Sequence, residues 1–448
     1  MARVVAFGAT IYLARTLGAS GFGIIGTATA ILLYCQFIAD AGVDVLGARD
    51  VAHRPEDLGA LVPAIVAGRL LVAGLTALVL IGAGHLLWDD PDATVLTVYA
   101  LTLFPLALNT RWVFLGLERG APAAVSRIAG EAVMVALVLL LVHDLGDVAR
   151  VPLAQLTGDL LAALFLAVRL RQQGLLVRPA WRPAVFGPFL ARSWHLTAHA
   201  LLGLLIYNSD LLFLRALHTS AEVGYYAAAY TLVSFLLNLG VAYSQSLLPT
   251  MTRVAGTPGQ LPLYHTAMAQ LCALGIPLAV GGYLVAGDLV RLVFGPGYEP
   301  AGLALGILLL SIPVAYLRSA PQVALIVAGK QALLARFTAV VAGVNLALNA
   351  LLIPRWGILG AASATVLTEV LRTGAALWFV RGDGLPVLPA QRLVPIVLGT
   401  AGMGLAVTMV SSQGVVLAVV MGGVAYGVCL MMLRVIRWSP GRGPEIRI

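Results

Sequence analysis

Long apolar runs alternate with short polar breaks along the chain. Windows of about 20 mainly apolar residues are long enough to cross a hydrocarbon core of about 30 Å. Fourteen such windows occur, at residues 2–17, 21–40, 59–86, 93–117, 122–142, 150–169, 192–215, 221–248, 263–286, 300–328, 332–353, 357–379, 393–411 and 414–433. The pattern predicts an all-α integral membrane protein with about 14 transmembrane helices.

Composition agrees. Of 448 residues, 60% are hydrophobic and 11% charged, and mean hydropathy is +0.95; soluble domains run near about a quarter charged. The 28 Lys+Arg exceed the 20 Asp+Glu, and position gives that excess its meaning, because cytoplasmic loops of membrane proteins collect basic residues. With the N-terminus in the cytoplasm, nineteen Lys and Arg fall on that side, among them Arg49, Arg54, Arg119, Arg192, Arg253 and Lys330. Five fall outside: Arg15, Arg150, Arg215, Arg291 and Arg355. The outer loop Asp89-Asp90-Pro91-Asp92 is acidic. The basic charge is therefore topological, both termini are expected in the cytoplasm, and nucleic acid drops out as a partner. Cys35, Cys272 and Cys429 lie in separate apolar runs without motif spacing, so neither a disulfide nor a metal site is expected. No G-x-x-x-x-G-K-[ST] loop is present, which argues against an ATP-driven pump in this chain, and no cofactor is expected.

The first window is short, with Arg3 and Arg15 inside it, and lacks the features of a cleaved signal peptide. The expectation is a natural chain that begins further upstream. An internal repeat is also expected. LARTLGASGFG (13–23) parallels LRALHTSAEVGYY (214–226), FPLALNTRW (104–112) parallels IPVAYLRSA (312–320), and LTGDLLAALFLAVRLR (156–171) parallels LTEVLRTGAALWFVR (367–381). Three matches in one order, at similar offset, predict a six-helix lobe over 1–170 and another over 191–380. A basic linker (171–190) joins them, and a terminal helix pair with a cytoplasmic tail (381–448) follows. Repeated lobes with a site at their interface are the architecture of secondary transporters.

The segments ARTLGASGFGIIG, ADAGVDVLGARDVA, SDLLFLRALHTSAEVGYYAAAYTLV, LVFGPGYEPAGLALGILLLS and NLALNALLIPRWGILGAASATVLTE follow one another over about residues 10–380. In that order the chain resembles the polysaccharide-type oligosaccharide-lipid flippases of the MATE-like MOP superfamily. The resemblance implies a bacterial or archaeal cytoplasmic (inner) membrane protein, not an enzyme. It would turn a polyprenyl-pyrophosphate glycolipid from the cytoplasmic to the outer leaflet for surface polysaccharide synthesis. In that family the first helix starts well before the ART motif, which again points to missing N-terminal sequence. A monomer among membrane lipids is expected, with a glycan polymerase as candidate partner.

Charges inside spans identify the candidate site, since each costs about 2.5–3.5 kcal/mol at a helix centre and asks for a cavity or a partner. Arg69, Arg111 and Arg318 sit about 9–15 Å from the cytoplasmic ends of their spans at about 1.5 Å per residue. They are candidates for the pyrophosphate and sugar, because guanidinium holds oxyanions bidentately; snorkelling or a local carboxylate pair is the competing reading. Asp159 and Glu369 occupy matching repeat positions. With Asp210 in YNSDLLF they are candidates for coupling to H+ or Na+, or for balancing the arginines. Asp40 and Asp44, four residues apart near Arg49, read as a gate contact, and Arg127 with Glu131 as a local pair. The glycine stretches GFG (21–23) and GILGAA (357–362) read as close helix packing; Pro105, Pro277 and Pro313 read as kinks. Alternatives are a peptidoglycan-precursor (lipid II) flippase, a MATE-type drug/cation antiporter with a more acidic cavity, and a membrane glycosyl polymerase. The last would need a long outer loop, and none here exceeds about 15 residues by the same span boundaries.

Overall fold

In the computed structural model, residues 2–175, 178–433, 436–439 and 443–446 are described. Residues 176 and 177 of the expected linker, and 434–435, 440–442 and 447–448 of the expected tail, lie outside them. The chain divides into two compact units, residues 1–215 with 219–224 and residues 216–218 with 225–448.

The first unit comprises α1 (Ala2–Asp40), α2 (Val43–His53), α3 (Leu58–Leu87), α4 (Asp92–Leu101), α5 (Leu103–Leu108), α6 (Arg111–Gly116), α7 (Gly120–Leu141), α8 (Arg150–Gln172) and, as far as Arg215, α9 (Pro183–Leu217). α10 (Ser220–Val254) begins in it. The second unit holds the rest of α10, then α11 (Gln260–Leu284), α12 (Ala286–Phe294), α13 (Ala301–Leu309), α14 (Ser311–Val327), α15 (Gln331–Arg381), α16 (Ala390–Val410) and α17 (Val415–Met432). A short antiparallel hairpin follows, β1 (Ile436–Ser439) with β2 (Gly443–Ile446), an addition to the all-α expectation. The helix α9, placed by the sequence at the start of the second lobe, packs within the first unit. Its Leu204 carbonyl accepts from the Tyr34 hydroxyl at 3.3 Å, and Phe186 is pressed against Gly68, where a Cβ would lie 2.3 Å from the ring.

Eleven helical segments among the described residues are long and apolar enough to cross a membrane. Their surfaces match that reading: Leu78, Val79, Trp378 and Met409 are 70–77% exposed, a cost in water that lipid removes. The chain is a multi-pass membrane protein. Fewer segments than the fourteen expected result partly because two helices each run through two expected spans. α1 is broken at Gly18 (φ 66, ψ 179) and α15 at Gly357 (φ 52, ψ −128), backbone conformations that glycine adopts without a Cβ clash. At Gly357 the chain doubles back: Asn345 donates to the Thr368 hydroxyl at 3.0 Å, and a Cβ on Gly360 would meet the Leu352 carbonyl at 2.4 Å. α9 spans 35 residues but is not among the eleven.

The repeat has a structural counterpart inside each unit. The expected span 93–117 breaks after Leu101, and that at 300–328 after Leu309. Each break is followed by a proline, Pro105 in α5 and Pro313 in α14, which removes a backbone donor from the ladder. A hydroxyl bonds back into the preceding turn at both places. Thr102 donates to Tyr99 O at 2.7 Å, and Ser311 donates to Leu308 O at 2.6 Å. Pro277 sits within α11 without a break.

Candidate functional site

In the first unit a four-residue charged cluster forms where α1 ends. Ala41 (φ 52) and Gly42 (φ 73) stop the helix and restart it as α2, so Asp40 and Asp44 do not share one helix face. Asp40 Oδ2 accepts from the Asp44 backbone N–H at 3.3 Å, capping the new helix. Its other oxygen, Oδ1, accepts from Arg69 Nη2 at 3.1 Å. Arg69, on α3, is 1% exposed and also donates through Nη1 to Asn109 O at 3.0 Å. That carbonyl is free of the helix ladder because Asn109 is extended (ψ 115) between α5 and α6. The Asn109 side chain accepts from the Arg111 N–H at 3.0 Å and so caps α6. Arg111 pairs with Asp44, and both are over a third exposed. Two guanidiniums and two carboxylates cancel formally. A cavity of about 320 Å³ opens beside them, lined by Asp40, Asp44, Gln36 and Thr197 among apolar neighbours.

The cluster in the second unit has a different charge balance. Glu369, 2% exposed on the returning half of α15, is held by two arginines. Oε2 accepts from Arg318 Nη2 at 3.1 Å, and Oε1 accepts from Arg372 Nη1, one helical turn on, at 2.6 Å. Arg318, on α14, donates its remaining Nη1 to Gln322. Two guanidiniums against one carboxylate leave one formal positive charge in a membrane-spanning helix pair. The Nε atoms of Arg318 and of Arg69 are buried, with no hydrogen-bond partner among the described residues. Beside Glu369, a buried polar ladder ties the two halves of α15 together. Asn349 donates to Asn345 at 3.2 Å, Asn345 reaches Thr368, and Thr373 donates to Val314 O of α14 at 2.9 Å.

The remaining sequence candidates have separate surroundings. Asp159, on α8, is half-buried; among the described residues no arginine pairs with it. Its repeat position therefore does not reproduce the surroundings of Glu369. Asp210 is 2% exposed, and its Oδ1 accepts from the Leu211 N–H at 3.2 Å. Arg49 does not join Asp40 and Asp44; it lines a larger cavity with Asp50 and Arg192. Arg215 pairs with Asp92 at 2.7 Å instead of simply snorkelling, while Arg127 and Glu131 form the expected pair at 2.8 Å. No group of three or more His, Cys, Asp or Glu side chains converges as a metal site among the described residues. Sequence reasoning counts Arg372 among the charges inside spans but gives it no role, and leaves Gln322, Asn109 and Asn345 out of the site. Of these, the three-residue spacing of Glu369 and Arg372 was a readable signal.

A family model described as "Polysaccharide biosynthesis protein" matches residues 1–255. The chain is 23% identical over 390 residues to the "Putative O-antigen transporter" of Escherichia coli (strain K12), covering 84% of this chain and 92% of that one. Its fold is similar to that of a lipid II flippase MurJ in an inward closed conformation, with a TM-score of 0.74, 13% identity and coverage of 97% and 98% of the two chains. It is also similar to an inward-facing multidrug resistance MATE family transporter of the MOP superfamily, with a TM-score of 0.67, 14% identity and coverage of 86% and 94%.

Proposed function

The chain belongs to the polysaccharide biosynthesis protein family, and on that premise we propose that it is a flippase for a lipid-linked polysaccharide precursor. The substrate is a polyprenyl-pyrophosphate oligosaccharide, moved from the cytoplasmic to the outer leaflet of a bacterial or archaeal cytoplasmic membrane by alternating access. No covalent chemistry is required of the protein. Both termini lie in the cytoplasm by the basic-residue bias.

The observation that carries the reading is the Arg318–Glu369–Arg372 cluster, with its surplus positive charge and the unpartnered Arg318 Nε. Two forked donors about one carboxylate make a site already shaped for an oxyanion. A pyrophosphate offers more acceptor oxygens than Glu369 and competes for the same N–H groups. In this account Glu369 balances Arg318 and Arg372 while the site is empty, then yields them to substrate. Arg69 and Arg111, held by Asp40 and Asp44, are the equivalent donors of the first unit, and the pairing of Asp40 and Asp44 with them is the gate contact. Asp159 and Asp210 are the carboxylates assigned to H+ or Na+ coupling. A drug/cation antiporter would set carboxylates in excess; here arginines equal or outnumber them in both clusters.

The test is surface-glycan export in cells lacking the chromosomal copy. Arg318→Ala and Arg69→Ala are expected to abolish export while protein remains in the membrane. Full export by both variants overturns the pyrophosphate-clamp assignment.

A further inference from the structure

A second basic concentration in the first unit lies outside both charged clusters. A cavity of about 960 Å³ is lined by Arg49, His53 and Arg54 at the end of α2 and by Arg192 and His195 of α9. Among the described residues that line it, two are carboxylates, Asp50 and Asp57. Asp50 is already neutralised, because Arg192 grips it through Nη2–Oδ2 at 2.6 Å and Nη1–Oδ1 at 3.5 Å. Among the described residues no ion pair engages the guanidinium of Arg49 or of Arg54, and Asp57 alone opposes them. Three arginines against two aspartates leave one formal positive charge with both histidines neutral.

The walls are fixed by packing. Phe186 fills the space over Gly68 of α3, Phe189 is 1% exposed, and the Arg192 guanidinium sits 5.9 Å over the Phe189 ring. On the same segment, Trp181 and Trp194 are 55% and 57% exposed. Exposed tryptophans of membrane proteins concentrate at headgroup depth, as do the basic residues that meet anionic lipid. The cavity is larger than a bare phosphate needs and within the range of ligand pockets, and Leu46, Leu61 and Val185 give it an apolar part.

We propose that this cavity binds the phosphate of an anionic lipid at the cytoplasmic membrane surface, with the Arg49 and Arg54 guanidiniums as its principal donors. The proposal stands independently of flipping, since neither arginine belongs to the Arg318 or Arg69 cluster. The same chemistry would serve a glycerophospholipid headgroup or a free pyrophosphate, and the probes separate the two.

Full-length protein, delipidated in neutral detergent, is titrated with phosphatidylglycerol, phosphatidylcholine or inorganic pyrophosphate, and bound ligand is counted by native mass spectrometry. Phosphatidylglycerol is expected to bind more tightly than phosphatidylcholine. The Arg49→Gln/Arg54→Gln variant should weaken it roughly thirtyfold, from about 1 kcal/mol for each arginine near anionic lipid. Arg253→Gln, at a basic residue of α10 that does not line the cavity, should change nothing. If pyrophosphate alone depends on the two arginines, the phosphate site stands and a free phosphate is its source. Equal binding of both probes by wild type and the double variant overturns it. An Arg49→Lys/Arg54→Lys variant guards against misfolding: it keeps the charge but loses the fork, so it should bind phosphatidylglycerol more tightly than the glutamine variant, and binding no better than that variant would overturn the basic site.

Discussion

Replacing Glu369 by alanine removes the carboxylate that pairs with both Arg318 and Arg372, whose side chains are 13% and 14% exposed. Both guanidiniums then lose this counter-charge within a helix pair that lies in the membrane. Removing one partner of a buried ion pair costs about 3–5 kcal/mol, because the charge left behind stays desolvated. Glu369→Ala is therefore expected to fall in that range. Glu369→Gln should cost less, roughly half that, by the same reasoning: its carbonyl oxygen still accepts from one arginine, while its amide N–H₂ faces donors on the other. Unfolding by SDS titration in mixed micelles, followed by tryptophan fluorescence, gives the order wild type, glutamine, alanine. Arg318→Ala should cost less in the Glu369→Ala background than alone, since groups in one network do not add. An alanine variant as stable as wild type, or strict additivity of the two substitutions, would refute the reasoning.

Arg69→Ala should destabilise by about 3–5 kcal/mol in the same titration, since it strands the buried partner Asp40 and the Asn109 carbonyl. Arg111→Ala, at a pair more than a third exposed, should cost under about 1 kcal/mol. Gly23→Ala would place a Cβ 1.8 Å from the Ser220 carbonyl oxygen and should sharply lower the yield of monodisperse protein on size exclusion. Gly343→Ala meets nothing within 4 Å and should leave that yield unchanged. Asn345→Ala strips the Asn349 and Thr368 side chains of a buried partner and should cost about 1–3 kcal/mol.

The apolar runs made the class of fold readable, and of the three prolines expected to kink, Pro105 and Pro313 follow helix breaks while Pro277 sits in an unbroken helix. The close-packing reading of the glycines holds at Gly23 and Gly360, where backbone lies against the missing Cβ. Partners were harder to read. Asp40 and Asp44 looked like neighbours on one helix because four residues separate them; Ala41 and Gly42 reach positive φ and turn the chain between them. Asp159 matched Glu369 by position, yet the residue three places on is Ala162 in one case and Arg372 in the other. That difference gives Glu369 an arginine partner on its own helix and gives Asp159 none there. The second arginine on Glu369 comes from α14, 51 residues away in sequence, a pairing set by tertiary packing that local spacing does not encode.

In the proposed flippase a guanidinium pair, relieved of its carboxylate, carries the pyrophosphate. Proteoliposomes holding a fluorescent polyprenyl-pyrophosphate oligosaccharide, scored by a membrane-impermeant quencher, measure it directly. Wild-type protein should expose the glycan at the opposite leaflet, and folded Arg318→Gln should fail to do so across a range of pH and sodium. Wild-type transbilayer movement by folded Arg318→Gln would contradict the account.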